Sequence, residues 1–271
     1  MLKTRVITAL LLVVGLALIL FALPPLAAVL AFAAIAALAA WEWGGLMRQD
    51  QPARVMYAFV LLLFCWQLTV AAPQLIPVLL GTSVVFWILV VPFWFRFKWT
   101  LAGNDFFGYL IGALVILPTW AAMVALHRVS TWLLLATMAL VWVADISAYF
   151  VGRSFGKHKL APTISPGKTW EGVAGAVLGV LIYGGSVLSF SPLAALLVDK
   201  QPWTPPMLGV LLVLLTAVSV MGDLFESLLK RQTGIKDSSG LLPGHGGVLD
   251  RIDALTSTLP LAALILYFVR S

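Results

Sequence analysis

Two pairs of carboxylates near the C-terminal end are the residues best suited to chemistry. Asp223 precedes Glu226 by three positions, and Asp250 precedes Asp253 by the same interval. On a helix, this spacing places both members of a pair on one face. Long apolar runs flank both pairs, so we expect them near the ends of membrane-embedded helices. Charge there is costly, about 2.5 kcal/mol or more per group at a helix centre. A bound divalent cation is the usual compensation, and oxygen ligands favour Mg²⁺ over Zn²⁺.

Asp145 is a fifth carboxylate inside an apolar run. It lies in the second half of the segment 130–151. An ionisable residue within a membrane span indicates function by default. The alternative is a structural carboxylate that pairs with Arg153 or with a group on a neighbouring helix.

The loop 152–172 suits a polyphosphate, since it has four Lys or Arg, one His and four Gly. Glycine lets the backbone approach a ligand closely, and lysine and arginine bind phosphate oxygens. The triplet at 167–169 is not a P-loop, because Pro162 stands where that motif requires glycine. Ser165 and Glu171 predict a helix start, with Lys168 in its first turn. Membrane anchoring by positive charge is the alternative interpretation of this loop.

The segment 223–253 holds nine of the 28 charged residues of the chain in 31 positions. Lys230 and Arg231 within it are either anchors at the membrane boundary or phosphate ligands. His245 lies among three glycines, which predicts a tight turn beside a polar side chain. The histidine and the serines do not indicate a serine hydrolase, because the sequence has no GxSxG motif.

The composition predicts an all-α polytopic membrane protein. The chain of 271 residues is 62% hydrophobic and 10% charged, whereas soluble domains carry roughly 25% charged residues. We expect one integral membrane domain, in which residues 1–126 are helices without an assigned role and residues 127–271 carry the catalytic helices and loops. The first apolar run resembles a signal peptide but is long for one, so we expect it to remain as a membrane helix. The nine predicted spans are 5–22, 25–47, 56–72, 74–95, 107–126, 130–151, 170–190, 207–229 and 248–269.

The basic residues predict the orientation. Lys3 and Arg5, together with the basic residues of every even-numbered loop, fall on one side of nine spans. The other side has only Arg128, Lys200 and Arg270. The positive-inside rule places the N-terminus, the even-numbered loops and the polar active site in the cytoplasm. The net charge of +6 therefore fits anionic lipids and phosphorylated substrates rather than nucleic acid.

Two further features concern the helices themselves. Glu42 is the exceptional charge in the first four spans, and its position near a helix end predicts an interfacial residue rather than a catalyst. Gly175 and Gly179 form a GxxxG motif, which is typical of close helix packing. Small-residue faces of this kind also permit a homodimer.

Several motifs together resemble a known family. Ser227-Leu-Leu-Lys230-Arg231 is followed by Lys236-Asp237 and then by LPGHGGVLDRID at 242–253. This pattern resembles the signature of the phosphatidate cytidylyltransferases, also called CDP-diacylglycerol synthases. The segments DISAYFVGRSFGKHKL and ISPGKTWEG are similar to that family as well. The resemblance is strong over residues 145–253 and general before them.

The resemblance implies an activity: CTP and phosphatidic acid react to give CDP-diacylglycerol and pyrophosphate, with Mg²⁺ required. It implies the inner membrane of a bacterium as the location and one or two bound cations. The implied cation ligands are Asp223, Asp250, Asp253, Glu226 and Asp145, with the first two the strongest. The implied catalytic residues are Asp223, Asp250, Lys230, Arg231 and His245, and the implied substrate-binding residues are Lys168, Lys236, Ser227, Ser239 and Arg153.

Two other functions remain open at the level of sequence. A CTP-dependent lipid-alcohol kinase would use the same nucleotide but release CDP, so the products distinguish the two enzymes. A cation-coupled transporter could use Asp145, Asp223 and Asp250 as an ion path. Metal-dependent binding of CTP would favour the enzyme, because transport requires no polyphosphate site.

Overall fold

The computed structural model describes residues 2–101, 104–190 and 204–270. Within them, nine helices are long and apolar enough to cross a membrane, which confirms the predicted all-α polytopic fold. The helices are α1 (Leu2–Phe21), α2 (Pro25–Leu46), α3 (Gln51–Val70), α4 (Pro73–Phe97), α5 (Asp105–Val129), α6 (Thr131–Phe155), α7 (Trp170–Phe190), α8 (Pro205–Thr233) and α9 (Leu249–Arg270). Lys200, one of the predicted basic residues of the opposite side, lies outside the described residues.

Local chemistry fixes several helix ends. The side chain of Asp50 accepts a hydrogen bond from the backbone N–H of Ala53 at 3.0 Å and so caps α3. Asn104 caps α5 in the same way through Phe107. Such side chains satisfy N–H groups that have no partner within the helix. Gly234 ends α8 in a left-handed conformation, with a φ of 77°, which glycine adopts without steric cost.

Helices α5 and α9 form the centre of the bundle, and α1 lies at its edge. The Thr119 hydroxyl of α5 donates to the carbonyl of Thr256 in α9 at 3.3 Å. Helices α8 and α9 approach closely at Gly222, where a Cβ atom would lie 2.7 Å from the carbonyl oxygen of Asp253. This contact brings the two acidic pairs, one on each helix, towards each other.

The GxxxG motif packs α7 against α6 within the chain. A Cβ atom on Gly175 would collide with Val151, and one on Gly179 would collide with Ser147. The expectation of close helix packing is confirmed. Because these glycines face a helix of the same chain, they give no support to a homodimer, which stays a prediction.

A β-hairpin follows α6, where the sequence predicts a helix start. Strands β1 (Lys159–Ala161) and β2 (Ser165–Thr169) pair antiparallel, and α7 begins only at Trp170. The Thr169 hydroxyl accepts a hydrogen bond from the Gly172 N–H at 3.1 Å, so Thr169 rather than Ser165 caps the helix. The predicted location of Lys168 in a first helical turn was therefore wrong, and it lies on β2.

The C-terminal end of α8 collects three loops. Arg48, after α2, donates to the carbonyl of Thr233 at 3.3 Å. Gln232 donates to the carbonyl of Trp99, after α4, at 2.8 Å. The Arg231 Nε donates to the carbonyl of Ile164, after α6, at 3.4 Å. These even-numbered loops therefore lie at one end of the bundle, as the distribution of basic residues predicts.

Candidate active site

Asp250 is the most extensively bonded carboxylate of the signature segment. Its Oδ1 lies 2.6 Å from the ammonium of Lys230. Its Oδ2 accepts hydrogen bonds from the backbone N–H groups of Ser238 and Gly247, at 2.8 and 2.7 Å, and from the Ser238 hydroxyl at 2.9 Å. Asp250 thus joins α8, α9 and the segment between them at one point.

Glu42 of α2 completes this junction, which is a role that the sequence analysis missed. Its side chain is 0% exposed. Its two oxygens accept from the N–H groups of Val248 and Leu249, at 2.9 and 2.6 Å, and from the hydroxyls of Ser238 and Ser239. A carboxylate at the N-terminus of a helix satisfies free N–H groups and complements the helix dipole. Glu42 therefore holds the start of α9 rather than serving as an interfacial anchor.

The glycines of the predicted tight turn fit this arrangement. Gly244 and Gly246 have φ values of 78° and 81°, which favour glycine. A Cβ atom on Gly247 would collide with the Ser238 hydroxyl and with Glu42. His245 lies in this turn, and its buried Nδ1 has no hydrogen-bond partner among the described residues.

Glu226 lies about one turn before Lys230 on α8. Its Oε2 is 3.4 Å from the Lys230 ammonium, but neither oxygen has a hydrogen-bond partner within the described part of the chain. Asp253 of α9 lies within electrostatic range of both Glu226 and Asp223. The four carboxylates of the two predicted pairs thus form one acidic group between α8 and α9.

A cavity of about 620 Å³ lies beside the β-hairpin, and we call it the hairpin cavity. The Lys168 ammonium lies 2.6 Å from Asp223 Oδ2, and the Ser227 hydroxyl donates to Asp223 Oδ1 at 3.3 Å. The charged residues that line the cavity are Asp145, Arg153, Lys159, Lys168 and Asp223. It can accept an anion against three cationic side chains and a cation against two carboxylates.

A second cavity, of about 530 Å³, lies beside the glycine turn, and we call it the turn cavity. Its polar lining includes Arg5, Lys236, Asp237, Ser239, His245 and Arg251. The predicted substrate-binding residues are therefore divided, with Arg153 and Lys168 in the hairpin cavity and Lys236 and Ser239 in the turn cavity. Arg231 lines neither cavity and bonds the hairpin backbone instead.

The predicted cation site stays a prediction. Among the residues that the structure describes, no three His, Cys, Asp or Glu side chains are grouped as ligands of one ion. Lysine ammonium groups lie against Asp223 and Asp250. The donor chemistry nevertheless fits Mg²⁺, because this ion usually takes one or two carboxylates, with water and substrate phosphate completing its shell. The Glu226 oxygens, of which Oε2 faces the Lys230 ammonium at 3.4 Å, are further acceptors beside this group.

The fold is that of an all-α polytopic membrane protein, with two cavities lined by basic residues beside the hairpin and the glycine turn. The sequence profile of the family described as "Cytidylyltransferase family" matches residues 3–269. The chain therefore belongs to the cytidylyltransferase family, which confirms the resemblance seen in the signature and makes the protein a nucleotidyltransferase.

Two relatives are similar over nearly the full length. A protein of Pseudomonas aeruginosa named phosphatidate cytidylyltransferase is 42% identical, over 98% of this chain and 97% of that protein. One of Haemophilus influenzae with the same name is 37% identical, over 99% of this chain and all of that protein. A Mycobacterium bovis protein of that name is 41% identical over 58% of this chain and 50% of its own length.

Proposed function

We propose that this enzyme transfers the cytidylyl group of CTP to phosphatidic acid, giving CDP-diacylglycerol and pyrophosphate for phospholipid synthesis. The observation that carries the proposal is the full-length similarity to proteins named phosphatidate cytidylyltransferase. The site supports it, because lysines and arginines line the hairpin cavity and the turn cavity of an otherwise apolar bundle. A soluble nucleotide and a membrane lipid can meet only at a boundary between polar and apolar surfaces.

The reaction needs positioning and charge neutralisation more than proton transfer. A phosphate oxygen of phosphatidate attacks the α-phosphorus of CTP, and the bond from that phosphorus to the bridging oxygen breaks, so pyrophosphate leaves. The nucleophile is already an anion and needs no strong base. Two polyanions must nevertheless approach each other, so cationic groups lower the barrier.

The hairpin cavity is the proposed site for the CTP phosphates. Lys168 and Arg153 would bind them there. Lys168 would exchange its ion pair with Asp223 for one with a phosphate, because a polyphosphate offers more negative charge than one carboxylate. Lys230, which pairs with Asp250 and Glu226, would help to neutralise charge near the phosphates, and we retain Arg231 and His245 as supporting groups.

Mg²⁺ remains a proposal, with one or two ions. Asp223 and Asp145 would hold it from the hairpin cavity, and Glu226, Asp253 and Asp250 would complete the acidic group. When bound, the ion would neutralise developing charge on the phosphates. Asp250 would also keep the turn in place through its hydrogen bonds.

The orientation is part of the proposal. The positive-inside rule places the end that carries the basic loops in the cytoplasm, where CTP is available. The bacterial relatives indicate the inner membrane.

Asp223→Asn tests the proposal. Purified protein with CTP, phosphatidic acid and Mg²⁺ should release pyrophosphate, and omission of any one component or addition of EDTA should abolish release. The variant should lower kcat by about a hundredfold or more, since it removes a carboxylate at the reacting phosphates. Asp105→Asn is the matched control, because Asp105 is exposed and its side chain bonds the exposed amide of Gln49.

Other products would contradict the proposal. Release of CDP on addition of a lipid alcohol would indicate a kinase. If the unmodified protein neither binds CTP nor releases pyrophosphate, the transporter is favoured instead. Full activity of Asp223→Asn would agree with the proposed reaction but would reject Asp223 as a cation ligand.

A further inference from the structure

Helix α1 forms part of the wall of the turn cavity. Arg5 lines this cavity together with the signature residues Lys236, His245 and Arg251. The Thr8 hydroxyl, one turn further along α1, donates to the carbonyl of Pro243 in the turn at 2.9 Å. The first helix of the chain is thus tied to a segment more than 230 positions away.

Arg5 points to the turn rather than away from it. Its Cγ lies 2.8 Å from the position that a Cβ atom on Gly244 would occupy. An arginine that served only as a membrane anchor would extend its side chain to the lipid headgroups. The Arg5 stem instead packs on Gly244, and Arg5 lines the turn cavity.

The turn cavity carries an excess of positive charge. Arg5, Lys236 and Arg251 contribute three cations against the single carboxylate of Asp237. The side chains of the three cations have no hydrogen bond or ion pair with any residue in 2–101, 104–190 or 204–270. The buried Nδ1 of His245 also has no partner there. Unpaired cations and an unbonded imidazole around one cavity are suited to an anion with several oxygen acceptors.

The position of α1 indicates a lipid as the source of that anion. Outside its contact with the turn, α1 is largely exposed and apolar, with Ile7 58% and Leu11 67% exposed. In a membrane these side chains face the acyl chains. A phosphate held beside Arg5 can therefore belong to a lipid whose tails lie along α1.

We propose that the turn cavity binds the phosphate monoester of the lipid substrate and that Arg5 is a residue of this site. The inference rests on the proposed function, in which the lipid is phosphatidic acid. The guanidinium would fork to two phosphate oxygens, and Lys236 and Arg251 would supply the remaining charge. The CTP phosphates would occupy the hairpin cavity.

The test compares Arg5→Gln with Lys3→Gln. Lys3 is an exposed cation on the same helix and lines neither cavity. Arg5→Gln should raise KM for a short-chain phosphatidic acid about tenfold and leave KM for CTP within about twofold, because it removes a charged hydrogen bond to one substrate. Lys3→Gln should change neither constant by more than about twofold. Arg5→Lys should fall between Arg5→Gln and the unmodified protein.

A binding measurement separates this inference from the proposed function. Short-chain phosphatidic acid alone should raise the thermal midpoint of the purified protein, and Arg5→Gln and Lys236→Gln should each lose most of that shift. Inorganic phosphate should stabilise far less than phosphatidic acid. An Arg5-dependent shift in a protein that releases no pyrophosphate would uphold the inference and reject the proposed reaction.

Three outcomes would overturn the inference. An unchanged KM for phosphatidic acid in Arg5→Gln would remove Arg5 from the site. A larger increase in KM for CTP would assign the turn cavity to the nucleotide. Equal stabilisation by phosphatidic acid in Arg5→Gln, Lys236→Gln and the unmodified protein would place the lipid phosphate elsewhere.

Discussion

At the scale of single residues, the site depends on carboxylates whose partners lie far away in sequence. The two acidic pairs were visible because their spacing and apolar surroundings are local. Glu42 was not identifiable as a site-supporting residue, because its four donors lie between Ser238 and Leu249 and only the fold brings them together. Its apolar surroundings were the one signal, and they also suited an interfacial residue.

Glu42→Gln should destabilise the protein. The amide replaces an acceptor oxygen with a donor, so at least two of the four donors lose their partner. Hydrogen bonds to charged groups contribute roughly 1.5–3 kcal/mol each, so we expect the free energy of unfolding in an SDS titration to fall by about 3 kcal/mol. Asp105→Asn removes an exposed carboxylate and should leave the free energy of unfolding unchanged. An unfolding curve for Glu42→Gln that coincides with that of the unmodified protein would contradict the role of Glu42.

Substitutions of Lys168, which pairs with Asp223, and of Lys230, which pairs with Asp250, should have different effects. Lys168 is proposed to bind the CTP phosphates, so Lys168→Gln should raise KM for CTP by about tenfold with little loss of stability. Lys230 is 12% exposed and faces Asp250 and Glu226, so Lys230→Gln leaves two buried carboxylates without their cation. The thermal midpoints of both variants measure the loss of stability, and CTP titrations measure the change in KM. A lower thermal midpoint for Lys168→Gln than for Lys230→Gln would contradict the assignment of Lys168 to CTP binding and of Lys230 to stability.

At the scale of elements, apolar run length predicted the helices well, because a span of about 20 residues has few alternatives in a membrane. The β-hairpin escaped prediction, because strands of three and five residues give little periodic signal. At its end, the Trp170 N–H donates to the His158 carbonyl at 2.9 Å, and Thr169 caps the helix that follows. The loop composition predicted phosphate binding without revealing the backbone that presents Lys168.

The packing of α6 on α7 gives a prediction at this scale. Gly179→Leu would place a side chain against Ser147 and Val143, and overpacking of this kind costs about 1–3 kcal/mol. The hairpin cavity lies between these helices, so activity should fall with stability. Gly185→Leu is the control on the same helix, because nothing lies within 4 Å of its added Cβ atom. Comparable thermal midpoints for the two variants would argue against close packing at Gly179.

At the scale of the whole molecule, the distribution of basic residues predicted which loops share one end. The contacts of Arg48, Arg231 and Gln232 at the end of α8 agree with it. Charge counting could not show that the N-terminal helices support the site. Arg5 and Glu42 do so through contacts that depend on the three-dimensional arrangement of α1, α2 and the turn.

Introduced cysteines can test the orientation in cells. Cys65 is 2% exposed and should not react with a membrane-impermeant maleimide. Gly240→Cys lies in the exposed loop before α9 and should react only when the cytoplasmic face is open to the reagent. Arg128 is exposed in the last turn of α5, so Arg128→Cys should react in intact cells once the outer membrane is permeabilised. The opposite pattern of labelling would indicate the inverse topology and would contradict the proposed access of CTP from the cytoplasm.

The hydrogen bonds of Glu42 also have a consequence for biosynthesis. The N–H groups of Val248 and Leu249 that it binds lie 206 and 207 positions after it. A ribosome that feeds this chain into the membrane delivers α2 long before it delivers those partners. Glu42 therefore lacks these two donors until the segment that contains Val248 and Leu249 has been made. Translation of the final segment then becomes the step that closes the polar end of the protein, and a ribosome that stalls before it leaves an open intermediate for quality-control proteases.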